Sequence, residues 1–402
     1  MRITFLGDIM INEDQLSLCR HGDEYDFSPV SAVLDGAFKD SDYVIANLES
    51  PVAGKDAGYT TELYSFNTPE AILEALKDSG VNMVQTSNNH CLDRGVEGLK
   101  QTIKNIKASG LDYVGTHLKP EDSFRIIDVD GISLGILAYT YGTNAFENGC
   151  YLKSDEEYSV DLLQEQELKG KYERMVYKGT SLPAKVFRKI SVNTKPDKYA
   201  APIYDRREPD VKQRTRLCEQ IAKCRKEGAE FVAVLLHIGG QYNDEPTAYT
   251  KEMCGFCLNN GADLVVANHE HVIHSFEDKR RDGSGFCWYA LGNFLSSNGV
   301  ISEPFDKLCR YSVVLDSVIE RTDSGISAGY SFRLFSSCEN EKGQIIPRPV
   351  YDLYEKCDDQ QIRRQLESDA DVILNRIYRT ENVSYGIRDF YSIPWEKADC
   401  NG

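Results

Sequence analysis

Five apolar, strand-like runs in this chain stop on a residue type that binds metals. Ile3-Thr4-Phe5-Leu6-Gly7 ends on Asp8, and the run over residues 43–46 leads into Asn47-Leu48-Glu49. Residues 81–86 lead into Asn88-Asn89-His90, residues 231–236 into His237, and residues 264–267 into Asn268-His269-Glu270-His271. A two-metal hydrolase needs hard or borderline ligands on both ions, one carboxylate shared between them, and an edge open to a water that ionises near neutral pH. Asp8 and Glu49 supply carboxylate oxygens, Asn89 an amide oxygen, and His237, His269 and His271 imidazole nitrogens. His269 and His271 are two apart, so an extended backbone gives them one face, whereas a turn lets them reach two ions. His90 adjoins Asn89 and is placed to face a substrate, with Asp93 three residues on to orient it by hydrogen bonding. Arg94 follows, either to pair with a substrate anion or to form a surface salt bridge. Asn293 in Gly292-Asn293-Phe294 either orients a ligand or caps a turn.

One strand-end histidine is as a rule a structural residue; five such ends in one chain point to ligands gathered along a sheet edge, where α/β folds place their sites. The elements that must position them alternate. Strands over 2–7, 43–46 and 81–86 are separated by helical patterns over 29–39 and 69–79, the latter opened by Thr68-Pro69-Glu70 and stopped at Gly80. A helix over 95–109 carries Val96, Leu99, Ile103 and Ile106 at helical spacing and ends at Gly110. Strands 111–114, 124–129 and 132–138 follow, the last two around Asp130-Gly131. Residues 146–210 are polar and read as an insertion or lid; within them, 169–189 are locally basic, a solvated surface or a guide for an anionic substrate. The rhythm returns with helix 211–227, strand 231–236, helix 247–260 and strands 263–267, 272–277, 286–291, 309–317 and 328–336. A helix is expected over 359–378. The domain reading is 1–345 as one unit with the 146–210 insertion, and 346–402 as a C-terminal helical extension.

The chain has 402 residues, 41% of them hydrophobic, enough for one large core with extensions. A net charge of −17 argues against nucleic-acid binding, which needs clustered Lys and Arg, but leaves an anionic substrate open because metal ions supply local positive charge. No run approaches transmembrane length, and the N-terminal apolar run is too short for a signal peptide. The twelve cysteines are scattered and read as reduced thiols, so the expected location is cytoplasmic. Cys254-Gly255-Phe256-Cys257 lacks a second Cys pair and reads as buried thiols.

As an ordered set these blocks resemble the capsule-synthesis CapA family (poly-γ-glutamate synthesis proteins), a branch similar to the calcineurin-like metallophosphoesterases. The residues that carry the resemblance are Gly7-Asp8, Ala46-Asn47-Leu48-Glu49-Ser50-Pro51, Ser87-Asn88-Asn89-His90 with Asp93 and Gly95, and residues 237–242, 261–266, 269–272 and 289–294. It implies an α/β/β/α four-layer sandwich and one or two divalent ions (Mn, Zn or Fe). It also implies a hydrolase in which metal-activated water attacks a phosphoester or related bond of a small molecule or an anionic polymer. By the family pattern Asp8 and His271 would hold one metal, Glu49 would bridge, and Asn89, His237 and His269 would complete the other. His90 would serve as general acid or charge stabiliser. Met10 stands where the phosphoesterases carry the His of Asp-x-His, which leaves the first metal a ligand short unless Asn12 or water substitutes. Glu270 stands where Pro is usual, as an extra ligand or a solvated carboxylate. The short ligand set also suits a different reading, a non-catalytic protein of capsule synthesis that binds an anionic polymer.

Overall fold

The computed structural model describes residues 1–62, 65–164, 166, 211–280, 285–296, 308–323 and 325–393. Most of the 146–210 insertion, including the basic stretch 169–189, lies outside the described residues.

Two sheets pack face to face. The first runs β16 (Ile345–Pro349), β15 (Gly325–Glu339), β14 (Tyr311–Thr322), β1 (Arg2–Met10), β4 (Tyr43–Leu48), β5 (Met83–Gln85), β6 (Asp112–Val114). Off this path β13 (Asn293–Ser296) pairs with β1, and β17 (Tyr391–Ile393) with β15. The second runs β11 (Phe276–Asp278), β12 (Phe286–Trp288), β10 (Leu264–Asn268), β9 (Phe231–His237), β8 (Ile132–Thr140), β7 (Phe124–Val129). A small ribbon joins β2 (Arg20–His21) and β3 (Glu24–Tyr25).

Period-2 alternation sorts the strand residues into layers. Ile3, Phe5, Ile45, Phe231, Ala233, Leu235, Leu264 and Val266 fill the core between the sheets. Their neighbours Leu6, Val44, Ala46 and Leu48 face outward onto α2 (Ser28–Leu34), α3 (Ala71–Asp78) and α4 (Gly95–Ser109). Val232, Val234, Leu236, Val265 and Ala267 face α6 (Val211–Lys226) and α7 (Ala248–Asn259) on the other side. The order is therefore helix, sheet, sheet, helix, the expected four-layer sandwich. Two short helices, α1 (Glu13–Cys19) and α5 (Ala145–Asn148), sit in loops beyond strand ends.

The described residues of the C-terminal segment, up to 393, are mainly helical and belong to the same core. After α8 (Val350–Glu355), α9 (Gln360–Tyr378) starts on the Asp359 side chain, which accepts from the Gln361 and Ile362 amides. Its Leu366, Ala370, Ile373, Leu374 and Ile377 join the inter-sheet core. Some expected spans shorten. α2 stops at Leu34 because Gly36 turns to φ +71°, and the strand expected over 272–277 is reduced to β11, since the backbone before it is a turn that carries two histidines. No helix among the described residues is long and apolar enough to cross a membrane.

Candidate metal centre

β1, β4 and β5 run parallel, as do β8, β9, β10 and β12, so both sheets present carboxyl ends at one edge. Register then sets the neighbours. Asp8 lies opposite Asn47, and His237 lies between Thr140 and Asn268. Asn47 Nδ2 donates to Asp8 Oδ1 at 2.7 Å and sits 3.2 Å from His237 Nδ1, joining one sheet to the other. β1 reaches this edge through a close approach: a Cβ at Gly7 would overlap the Gly292 carbonyl oxygen, and the Asp8 amide donates to that same oxygen at 2.9 Å.

Two sets of ligand-type atoms converge. Asp8, Glu49 and His237 each offer an atom within 4.8 Å of the others, and so do Glu49, His269 and His271. Glu49 is common to both, with Oε1 3.3 Å from His237 Nε2, 3.8 Å from His271 Nε2 and 4.0 Å from His269 Nδ1. Asn89 Oδ1 lies 2.7 Å from His237 Nε2, and His269 Nδ1 lies 3.1 Å from the same nitrogen. Asp8 Oδ2 accepts from the His269 amide at 3.3 Å and is 3.5 Å from His271 Nδ1. The six ligand-type residues named from the sequence are thus brought together, and all are buried.

The turn that presents the two histidines is strained. His269 has φ +110° and His271 φ +57°, conformations that cost a non-glycine residue about 1–3 kcal/mol each. Glu270 between them is buried rather than solvated, and its carboxylate turns into the neighbouring loop. Its Oε1 accepts from the Gly240 amide at 3.0 Å and its Oε2 from Asn243 Nδ2 at 3.2 Å, which binds the 269–271 turn to the 238–243 loop.

The donor set fits a divalent cation. Both Glu49 oxygens, His269 Nε2 and Asn47 Oδ1 are buried with no hydrogen-bond partner among the described residues, a cost that native interiors rarely tolerate without a ligand. Burial, then the neighbouring Glu49 charge, pushes the Asp8 carboxyl well above its usual range. Burial alone would raise Glu49 too, but His237 and His271 outweigh it and hold Glu49 well below. Burial lowers His237 and takes His269 down to about 3, a shift toward the neutral imidazole that metals bind.

His90 stands beside this cluster on a separate support. Its Nδ1 donates to Asp93 Oδ2 at 2.8 Å, and Asp93 also accepts from the Phe66 amide at 3.0 Å and from Asn148 Nδ2 at 3.1 Å. The Phe66 ring meets His90 edge-on with centroids 4.6 Å apart, and Met10 packs against Phe66. Burial pulls the His90 imidazole down, but Asp93 outweighs it and the net shift is upward. Arg94 turns elsewhere: its Nη2 donates to the carbonyls of Ser65 at 2.6 Å and Tyr59 at 3.2 Å, pinning that loop. Asn293 sits behind His271, with Oδ1 2.9 Å from His271 Nδ1 and Nδ2 donating to the His271 and Cys309 carbonyls.

A model of the family described as "Bacterial capsule synthesis protein PGA_cap" matches residues 2–298. The chain belongs to that family. Among curated relatives, the capsule biosynthesis protein CapA of Bacillus anthracis is 28% identical over 308 residues, covering 74% of this chain and 60% of the relative. The PGA biosynthesis protein CapA of Bacillus subtilis strain 168 is 24% identical over 307 residues, covering 74% of this chain and 63% of the relative. The matched stretch therefore spans about three-fifths of each relative's length.

In this family member several site residues were not legible beforehand. Tyr141 lies 4.7 Å from the His269 ring and Tyr242 5.6 Å from His271, both centroid to centroid. Tyr141 follows a strand end by one residue, a signal that was available; Tyr242, at φ +60° in a loop, and Asn148, closing the single-turn helix α5, carry no periodic signal. Cys254 and Cys257 are buried in the outer core, where contact with Cys287 and burial raise Cys254 and burial pushes Cys257 up to about 12.

Proposed function

We propose that this chain is a metal-dependent hydrolase of the CapA type, acting on a phosphoester or related bond within capsule or poly-γ-glutamate metabolism. The observation that carries it is Glu49: a buried carboxylate shared by two ligand triads, with neither oxygen hydrogen-bonded among the described residues. Asp8, Glu49, Asn89, His237, His269 and His271 would hold one or two divalent ions, which when bound supply an activated water and positive charge opposite the developing anion. The chain's own residues do the rest. Asp93 fixes His90 and shifts its pKa upward, which suits His90 to deliver a proton to a leaving group. Asn47 and Asn293 orient His237 and His271. The working unit in this reading is 1–345, with 346–402 as its C-terminal extension, of which the described residues 346–393 pack onto it. Eleven free thiols among the described residues support a reducing, cytoplasmic setting.

The relatives' names tie them to capsule and PGA biosynthesis. Poly-γ-glutamate is amide-linked and carries no phosphate, so acyl as well as phosphoryl substrates belong in the test. The experiment is turnover of a phosphomonoester, a phosphodiester and poly-γ-glutamate with added Mn or Zn. Activity on one class that falls at least ~100-fold in His90→Ala supports the reading. Metal uptake without turnover of any of the three contradicts it. That outcome would favour the second reading, binding of an anionic polymer without chemistry, which Met10, buried against Phe66 where the phosphoesterases carry a histidine, supports.

A further inference from the structure

The strained turn 269–271 needs an external hold, and part of that hold comes from a helix that lies beyond the residues matched by the family model. Arg376 on α9 donates from Nη1 to the Ile273 carbonyl at 3.2 Å, two residues past His271. Its Nη2 lies 3.9 Å from Asp244 Oδ1, two residues past Tyr242, whose ring lies against His271. One guanidinium thus spans both loops that frame the histidines. Further bonds tie the loops to each other, among them Gly240 N to Glu270 Oε1 at 3.0 Å, Tyr242 N to Glu270 O at 2.9 Å, Asn243 Nδ2 to Glu270 Oε2 at 3.2 Å, and His274 Nε2 to Asn243 O at 2.9 Å. One turn further along, Arg379 Nε donates to Ser275 Oγ at 3.2 Å. The helix is itself anchored independently, by Tyr311 Oη donating to Asp369 Oδ2 at 2.7 Å and by its apolar face.

We infer that Arg376 is a positioning residue for the His269–His271 turn, so that this one side chain of α9 tunes the affinity of the metal centre, an inference that rests on the metal reading above. The physical reason is that two left-handed non-glycine residues relax toward ordinary backbone unless the flanking carbonyls are fixed. A planar guanidinium with several donors fixes two loops at once, where an ammonium on a flexible stem fixes one less well.

The test uses the full chain as wild type, Arg376→Gln, Arg376→Lys and, as a control, Tyr311→Phe, which loosens α9 without touching the loops. Zn²⁺ affinity is read by chelator competition, and hydrogen exchange of the amides at 269–275 is read without metal. Arg376→Gln is expected to weaken Zn²⁺ binding about tenfold and to speed exchange at 269–275. Arg376→Lys should recover part of both, and Tyr311→Phe should lower Tm with neither change. Wild-type affinity and exchange in Arg376→Gln would overturn the inference, and so would equal losses in Tyr311→Phe. If wild type takes up no Zn²⁺, the metal reading fails. Exchange at 269–275 then decides the clamp alone, faster in Arg376→Gln if Arg376 holds the turn and unchanged if it does not.

Discussion

Asn47 is the residue on which the two sheets meet, donating to Asp8 on one side and touching His237 on the other. Partners of metal ligands orient the donor atoms, and losing one costs about 10–100-fold in affinity. Asn47→Ala should therefore weaken Zn²⁺ binding about tenfold in a chelator competition; an unchanged affinity would show that Asn47 is only a fastening. Glu270 makes the opposite case. Its carboxylate is turned into the 238–243 loop, so Glu270→Gln should keep the full metal stoichiometry, measured by elemental analysis of the purified protein. Loss of one equivalent would restore Glu270 as a ligand.

At the level of elements, the loop after β9 is built around Gly239. It has φ +120°, and a Cβ there would overlap the Glu270 carboxylate. Gly239→Ala should cost more than ~1 kcal/mol in denaturant unfolding, with less metal bound. Strand ends were legible in the sequence because burial on both faces writes continuous apolar runs that stop where the backbone leaves the sheet. That is why Asp8, Glu49, His237 and His269 could be read in order. Directions beyond the strand end could not. Arg94 follows His90 and Asp93 in sequence, yet its guanidinium turns onto the carbonyls of Tyr59 and Ser65. α1 carries no clear periodic signal because only Gln15, Leu16 and Cys19 of its seven residues are buried. The 272–277 stretch looked like a strand because nothing local announces the positive φ of His269 and His271.

Across the whole molecule, the segment around Asp161 fastens one sheet to the other. Its amide donates to Gly115 O after β6, and the Thr140 amide at the end of β8 donates to its carbonyl. The Asp161 side chain accepts from His117 Nε2 at 2.7 Å, Ser123 Oγ at 2.5 Å and Arg216 Nη2 at 3.2 Å. Burial lowers His117, but Asp161 outweighs it and the folded-state pKa is raised. A raised histidine contributes its full stability below the unfolded pKa of about 6.5 and loses it as pH rises through the folded value. His117→Gln should thus cost about 3 kcal/mol at pH 6 and less at higher pH, so the Tm gap to wild type narrows on going alkaline. A gap that widens would reverse the assignment. The inter-sheet core also includes α9, so Leu374→Ala should cost about 3 kcal/mol in a single cooperative transition; a separate early transition would make the C-terminal segment an independent unit. The central claim concerns the edge that this core supports, where Glu49 is shared between two ligand triads. It is tested most directly by the metal content of wild type and Glu49→Gln after equilibration with Mn or Zn. The account predicts at least one tightly held ion per wild-type chain and its loss in a folded Glu49→Gln. No ion in wild type, or equal occupancy in the two proteins, would contradict it.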